Sequence, residues 1–226
     1  NLLIANYSTG ADLIKGSDWN LQNETDRIKK EIDIAAVLGV TKMRHDASFG
    51  FGAEDPKARP LECYLDKLAK GCKILTEYAK SANIRTMVEN HGKYCQHSQD
   101  VLSIYKAVDD DNFGILIDIG NFKCVDQDPV EGIADLAPYA FHVHAKDFHQ
   151  KSGNCMNPGW GWFLTKHGNY LRGSIIGHGD VPLHQCINVL KAYGYNDVLS
   201  IEFEGIEDVF SAIESGYSNL KRLVDM

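Results

Sequence analysis

Short apolar runs alternate with amphipathic stretches along the whole chain, a pattern that predicts strand, helix, strand, helix. Residues 2–7 read as a first strand. Over 23–38, Ile28, Ile32, Ala35 and Leu38 recur near one face of a helix, with Gly39 as the stop signal. A strand over 40–45 follows. Pro60 then opens a long helix whose apolar stripe is Leu61, Leu65, Leu68, Cys72, Leu75 and Ala79. Beyond it the pattern predicts strands over 86–89, 114–119, 141–145 and 198–203, and helices over 98–108, 129–136, 181–193 and 207–224.

Six βα units in one chain imply a parallel sheet with right-handed crossovers. Two closures satisfy that rhythm: a doubly wound open sheet or an eight-stranded barrel. No glycine-rich phosphate loop follows the first strand, which weighs against a dinucleotide-binding sheet. A barrel needs eight units, usually in about 250 residues, so the count is two short. The expectation is an α/β TIM (β/α)8-type barrel lacking its first two βα units in this chain, read as a single domain over 1–226. The alternative is that residues 2–7 are the first strand of a smaller open sheet. One connection, from Asp147 to the helix at Val181, exceeds thirty residues and carries Trp160, Trp162 and several glycines. A connection of that length is usually functional or disordered. Its aromatics suggest a lid or a sugar-stacking surface, against a surface excursion that packs its own tryptophans.

Four strands end on side chains that ligate metals. Glu89 closes the run Thr86-Met87-Val88, Asp118 closes Ile115-Leu116-Ile117, His144 closes Phe141-His142-Val143, and Glu202 closes Val198-Leu199-Ser200-Ile201. In a parallel barrel the carboxyl ends of the strands meet on one face, where catalytic residues sit. Two Glu, one Asp and one His gathered there make a site for a divalent metal.

Charge and composition narrow the partners. The chain of 226 residues carries a net charge of -8 and no run of lysines and arginines, which weighs against nucleic acid. No apolar run is long enough to span a bilayer and no secretory pattern opens the chain, so the reading is a cytoplasmic protein with no membrane partner. Six cysteines lie far apart without a CxxC pair and are read as reduced.

The strand-end residues sit in motifs that resemble the sugar phosphate isomerase/epimerase family, the xylose isomerase-like TIM barrels. The matching segments are Glu89-Asn90, Asp118-Ile119-Gly120-Asn121, His142-Val143-His144-Ala145-Lys146-Asp147, Gly177-His178-Gly179-Asp180 and Ser200-Ile201-Glu202. They occur in the family's order, from its third strand onward, and cover essentially the whole chain. The resemblance implies Glu89, Asp118, His144 and Glu202 as metal ligands, with His144 chosen over His142. Glu204 shares a strand face with Glu202 but lies beyond the expected strand end, and is read as a rim residue. Asn121 stands where many relatives carry histidine.

What the resemblance implies chemically is a metal-dependent sugar or sugar phosphate isomerase or epimerase. It works through a metal-stabilised enediolate, with Glu89 and Glu202 as acid and base in an unassigned order. The oxygen-rich ligand set favours Mn²⁺, with Mg²⁺, Co²⁺ or Zn²⁺ as alternatives. Candidate substrate contacts are Asn121, His45, Lys146, His178, Arg172 and Trp160, with Arg44, Asp46 and Trp162 as weaker ones. For Lys146 a structural ion pair with Glu202 or another carboxylate is the competing role. A homo-oligomer is compatible with the resemblance. Two other readings compete: a metal-dependent phosphodiesterase resembling endonuclease IV, which needs many more strand-end histidines, and a non-catalytic sugar-binding barrel.

Overall fold

The computed structural model describes residues 2–52 and 54–226. The chain divides inside one strand into two compact units, the first ending at Leu116 and the second beginning at Ile117.

The first unit is built from β1 (Tyr7–Thr9), α1 (Leu21–Val37), β2 (Lys42–His45), α2 (Leu65–Lys80), β3 (Arg85–Glu89), α3 (Ser98–Val108) and most of β4 (Phe113–Asp118). Its strands pair in parallel in chain order, with Tyr7 opposite Met43, Met43 opposite Thr86, and Glu89 opposite Leu116. Parallel strands covered on both faces read as unbroken apolar runs, and all six residues of β4 are buried. Helix α1 turns Ile28, Ile32 and Ala35 inward, and α2 turns Leu68, Cys72 and Leu75 inward, as their spacing requires. A 3-10 turn over Leu61–Tyr64 precedes α2, so the helix begins later than Pro60. The first strand also departs from expectation. Leu2 and Leu3 are exposed, and the strand forms instead at Tyr7–Thr9. Its polar sequence gives no hydrophobic signal; pairing with β2 defines it.

The second unit contains the end of β4, a 3-10 turn at Asn121–Val125, α4 (Pro129–Leu136), β5 (Ala140–Ala145), α5 (Leu183–Ala192), β9 (Leu199–Ile201) and α6 (Val209–Asp225). Beyond β4, the Ile119 N–H donates to the His144 carbonyl (3.0 Å). Strand β5 pairs in parallel with β9, placing His144 opposite Ser200 and Ala145 opposite Ile201.

The long connection is largely an antiparallel sheet of β6 (Asp147–Lys151), β7 (Phe163–Leu164) and β8 (Tyr170–Ser174), with β8 in the middle. Phe148, Leu171 and Phe163 share one of its faces, with the Phe148 and Phe163 rings 5.8 Å apart. Asp147 ties the sheet to the segment before α5. One of its carboxylate oxygens accepts the N–H groups of Gly177 and Gly179 (both 2.9 Å). The other accepts those of Val181 (3.2 Å) and Phe148 (2.9 Å). A Cβ at Gly179 would collide with this carboxylate, which explains the glycine. Asp147→Ala would strand four donors, of which the Phe148 and Val181 bonds are buried, each unsatisfied buried group costing about 1–3 kcal/mol. A loss of about 3 kcal/mol in urea denaturation is expected, and a change below about 1 kcal/mol would show that the segment holds without the carboxylate.

Candidate metal centre

In the second unit, Asp118 ends β4, His144 lies near the end of β5, and Glu202 follows β9. The Glu202 N–H donates to the Ala145 carbonyl (3.0 Å), so the ladder runs one residue past the strand and fixes this carboxylate beside β5. Each of the three residues offers one ligand atom, and these atoms lie within 4.8 Å of one another. His144 Nδ1 is 2.9 Å from a Glu202 oxygen and 3.9 Å from Asp118 Oδ2. Carboxylates and imidazole are donors that divalent first-row metals and magnesium accept, so the set fits such an ion.

A buried ammonium balances the carboxylates. Lys146 Nζ lies 3.3 Å from oxygens of Asp118, Glu202 and Glu204, and donates to the Asn121 side-chain oxygen at 3.2 Å. Glu204, expected on the rim, is half exposed yet paired with this lysine. The backbone of Gly120 passes so close to Lys146 that a Cβ there would press on the lysine stem. Asn121, next in the chain, is buried and donates its backbone N–H to Asp118 Oδ1 (2.8 Å). Burial works against the charged form of Glu202. The His144 hydrogen bond and the Lys146 charge outweigh it and hold the carboxyl well below the usual range. A depressed folded-state value means that this group's contribution to stability is present above the ordinary carboxyl pKa near 4.5. It is lost as the pH falls toward the folded value.

The remaining expected contacts in this unit are spread out. His142 is buried, shares a hydrogen bond with the Ser200 hydroxyl (2.8 Å) and stands edge-on to His144. Arg172 pairs loosely with Glu207 (3.6 Å) and lies 5.6 Å from the Trp162 ring. It lines a cavity of about 280 Å³ with His149, Lys151, Trp162 and Asp180. His178 is exposed, and Trp160 is 83% exposed.

In the first unit, Glu89 ends β3, opposite Leu116 in the ladder. Arg44, from the neighbouring strand, reaches Glu89 (2.6 Å) and Asp46 (2.7 Å). Asp46 Oδ1 is also 2.9 Å from His91 Nδ1. That hydrogen bond raises the His91 pKa above its ordinary value, against burial. His45 is fully buried, its Nδ1 on the Asp46 carbonyl oxygen (3.0 Å), and burial pushes its pKa down. Sequence reasoning missed His91 altogether. The only signal available was its position two residues beyond Glu89.

Residues 1–222 match the family of xylose isomerase-like TIM barrels. The chain belongs to that family. The parallel strands and their helices in each unit accord with its TIM-barrel fold. Among solved structures, a xylose isomerase-like TIM barrel protein from Mycobacterium smegmatis, in complex with magnesium, superposes with a TM-score of 0.72. It is 21% identical, covering 99% of this chain and 74% of that one. The 3-keto-D-glucoside 4-epimerase YcjR from E. coli gives a TM-score of 0.70 at 14% identity, covering 100% of this chain and 80% of that one. At these identities the likeness is one of fold. Uncharacterized protein MJ1311 of Methanocaldococcus jannaschii is 26% identical over 149 residues, 65% of this chain but only 45% of that relative's length. Among the described residues of this barrel, no helix is long and apolar enough to cross a membrane.

Proposed function

We propose that the chain is a divalent-metal-dependent isomerase or epimerase of sugars or sugar phosphates. The observation that carries the reading is the gathering of Asp118, His144 and Glu202 around Lys146 at the carboxyl ends of parallel strands. Family membership and an epimerase among the structural relatives support it. Glu89 is proposed as the fourth ligand, from its place at the end of β3 and its motif with Asn90. Mn²⁺ is the proposed ion, on the strength of the oxygen-rich donor set; the M. smegmatis relative holds magnesium.

When bound, the metal supplies Lewis-acid polarisation of the substrate carbonyl. The chain's own residues do the rest. Glu202 and Glu89 act as acid and base in an order left open: one takes a proton from the carbon beside the carbonyl, and the other delivers one. Return of the proton to the same carbon from the opposite face gives an epimer, and return to the neighbouring carbon gives the aldose–ketose pair. Lys146 holds Glu202 and Asp118 in place. It and Asn121, hydrogen-bonded to each other, are the proposed contacts to a substrate oxygen at this centre.

The reading is tested by stripping the protein of metal, reloading it with Mn²⁺ and following a panel of ketoses and ketose phosphates by NMR. Metal-dependent appearance of an epimer or an aldose is the expected result; tight metal binding with no conversion would favour a binding protein. The ligand assignment has its own test. His144→Ala is expected to weaken Mn²⁺ binding at least about 10–100-fold, more than His142→Ala, which removes a neighbour hydrogen-bonded to Ser200. The reverse order in a calorimetric titration would move the ligand to His142.

A further inference from the structure

We propose that the exposed apolar face of α6 is the contact surface for a second copy of this chain, packed against it in antiparallel order about a two-fold axis beside Tyr217. The face lies wholly in the second unit and includes none of the proposed metal ligands. Along α6, Phe210, Ile213, Tyr217, Leu220 and Val224 follow one another at spacings of three and four residues. That spacing is the seam by which two helices interlock. The core of the unit uses another side of the helix. Ala212, Gly216 and Leu220 are buried there, and Asn219 donates to the Ile176 carbonyl (2.9 Å). Phe210 is left 83% exposed and Tyr217 62% exposed, with Ile213 and Val224 also open to solvent. Beside them runs β9, the last strand of its sheet, which pairs with β5 alone among the described strands. Between strand and helix lies a groove of about 310 Å³ whose walls include Leu199, Ile201, Tyr217, Leu220 and Val224. A continuous apolar face of this kind marks an interaction surface.

The charges on the face select the occupant. Glu214 and Lys221 are exposed, flank the seam on one side, and neither enters an ion pair among the described residues. Glu214 lies three residues before Tyr217, and Lys221 four after it. A two-fold axis reverses the order of residues along the facing helix. With the axis between Tyr217 and Ser218, Glu214 meets the second copy's Lys221, and Lys221 meets the second copy's Glu214. Both pairs form at once. Parallel packing in register would instead set Glu214 against Glu214 and Lys221 against Lys221. Charges beside such a seam decide partner and orientation. The same axis carries Phe210 to the second copy's turn of Lys221, Val224 and Asp225, which borders the groove. A contact that pairs one patch with itself closes at two copies.

The test uses the full chain, free of metal and sugar, in sedimentation velocity and light scattering across about a hundredfold range of concentration. A dimer is the expected species. Phe210→Asp is expected to weaken it at least about tenfold, as loss of a central aromatic anchor does. Glu214→Lys puts like charges together twice in a two-fold dimer and is expected to weaken it to a similar degree. The double reversal, Glu214→Lys with Lys221→Glu, is expected to restore the affinity to within about threefold of the wild type. All three positions are exposed, so circular dichroism is expected to show an unchanged fold. A monomer at every concentration would overturn the proposal and leave the face to a partner of another kind. A dimer indifferent to Phe210→Asp would overturn it too, and so would one that Glu214→Lys weakens but the double reversal does not restore.

Discussion

Glu202→Gln is expected to lower turnover about 10²–10⁴-fold, the range that a positioned carboxylate acid/base supplies, while the protein stays folded. The substitution keeps the side chain's shape and an oxygen for the 2.9 Å contact with His144, and its side chain is already 36% exposed. What disappears is the negative charge and the ability to take a proton. Glu204→Gln is the control. It removes a carboxylate at the same distance from Lys146, but one half exposed and outside the candidate metal-ligating group. Its effect on kcat is expected to stay within about twofold, since surface charge changes contribute little. Steady-state rates at saturating Mn²⁺ separate the two. Near-normal turnover in Glu202→Gln would take Glu202 out of the proton transfer.

Lys146→Met is expected to destabilise the metal-free protein by about 3–5 kcal/mol, the cost of removing one partner from a buried ion pair. Lys146 is 2% exposed and Asp118 is fully buried. Without the ammonium, Asp118 and Glu202 lose a positive charge 3.3 Å from each of them. A divalent ion bound by the same carboxylates would replace the missing charge. Mn²⁺ should therefore raise the melting temperature of the variant more than that of the wild type, because an ion that binds the folded state adds its binding free energy to stability. Equal metal-induced shifts in the two proteins would mean that Lys146 does not balance the site's charge.

The strand-end residues were legible in the sequence for a physical reason. A strand buried on both faces leaves an unbroken apolar run, and the first polar residue after it marks the carboxyl edge. Asp118, at the end of the wholly buried β4, is the clearest case. Tyr7–Thr9 was not legible, because polar residues form that strand through register with β2 while the more apolar residues before it stay exposed. The Arg44 to Glu89 contact joins residues far apart in sequence, and only the pairing of β2 with β3 brings them side by side. His91 escaped notice because its hydrogen bond is with Asp46, which reaches it from another strand's end. In the long connection the aromatics drew attention, yet Asp147 organises the segment, and Trp160 remains open to solvent. Lys146 was visible as part of a motif, and its competing role as an ion pair is the one that its contacts with Asp118, Glu202 and Glu204 match.

Solvent deuterium incorporation tests the central claim most directly. Metal-stripped protein and Mn²⁺-loaded protein are incubated in D₂O with ketoses and ketose phosphates, and the sugars are read by NMR. The expected result is metal-dependent deuterium at a carbon beside the carbonyl, abolished in Glu202→Gln, with its position separating epimerisation from isomerisation. Conversion of a sugar with no deuterium uptake, or uptake undiminished in Glu202→Gln, would contradict proton transfer by this carboxylate.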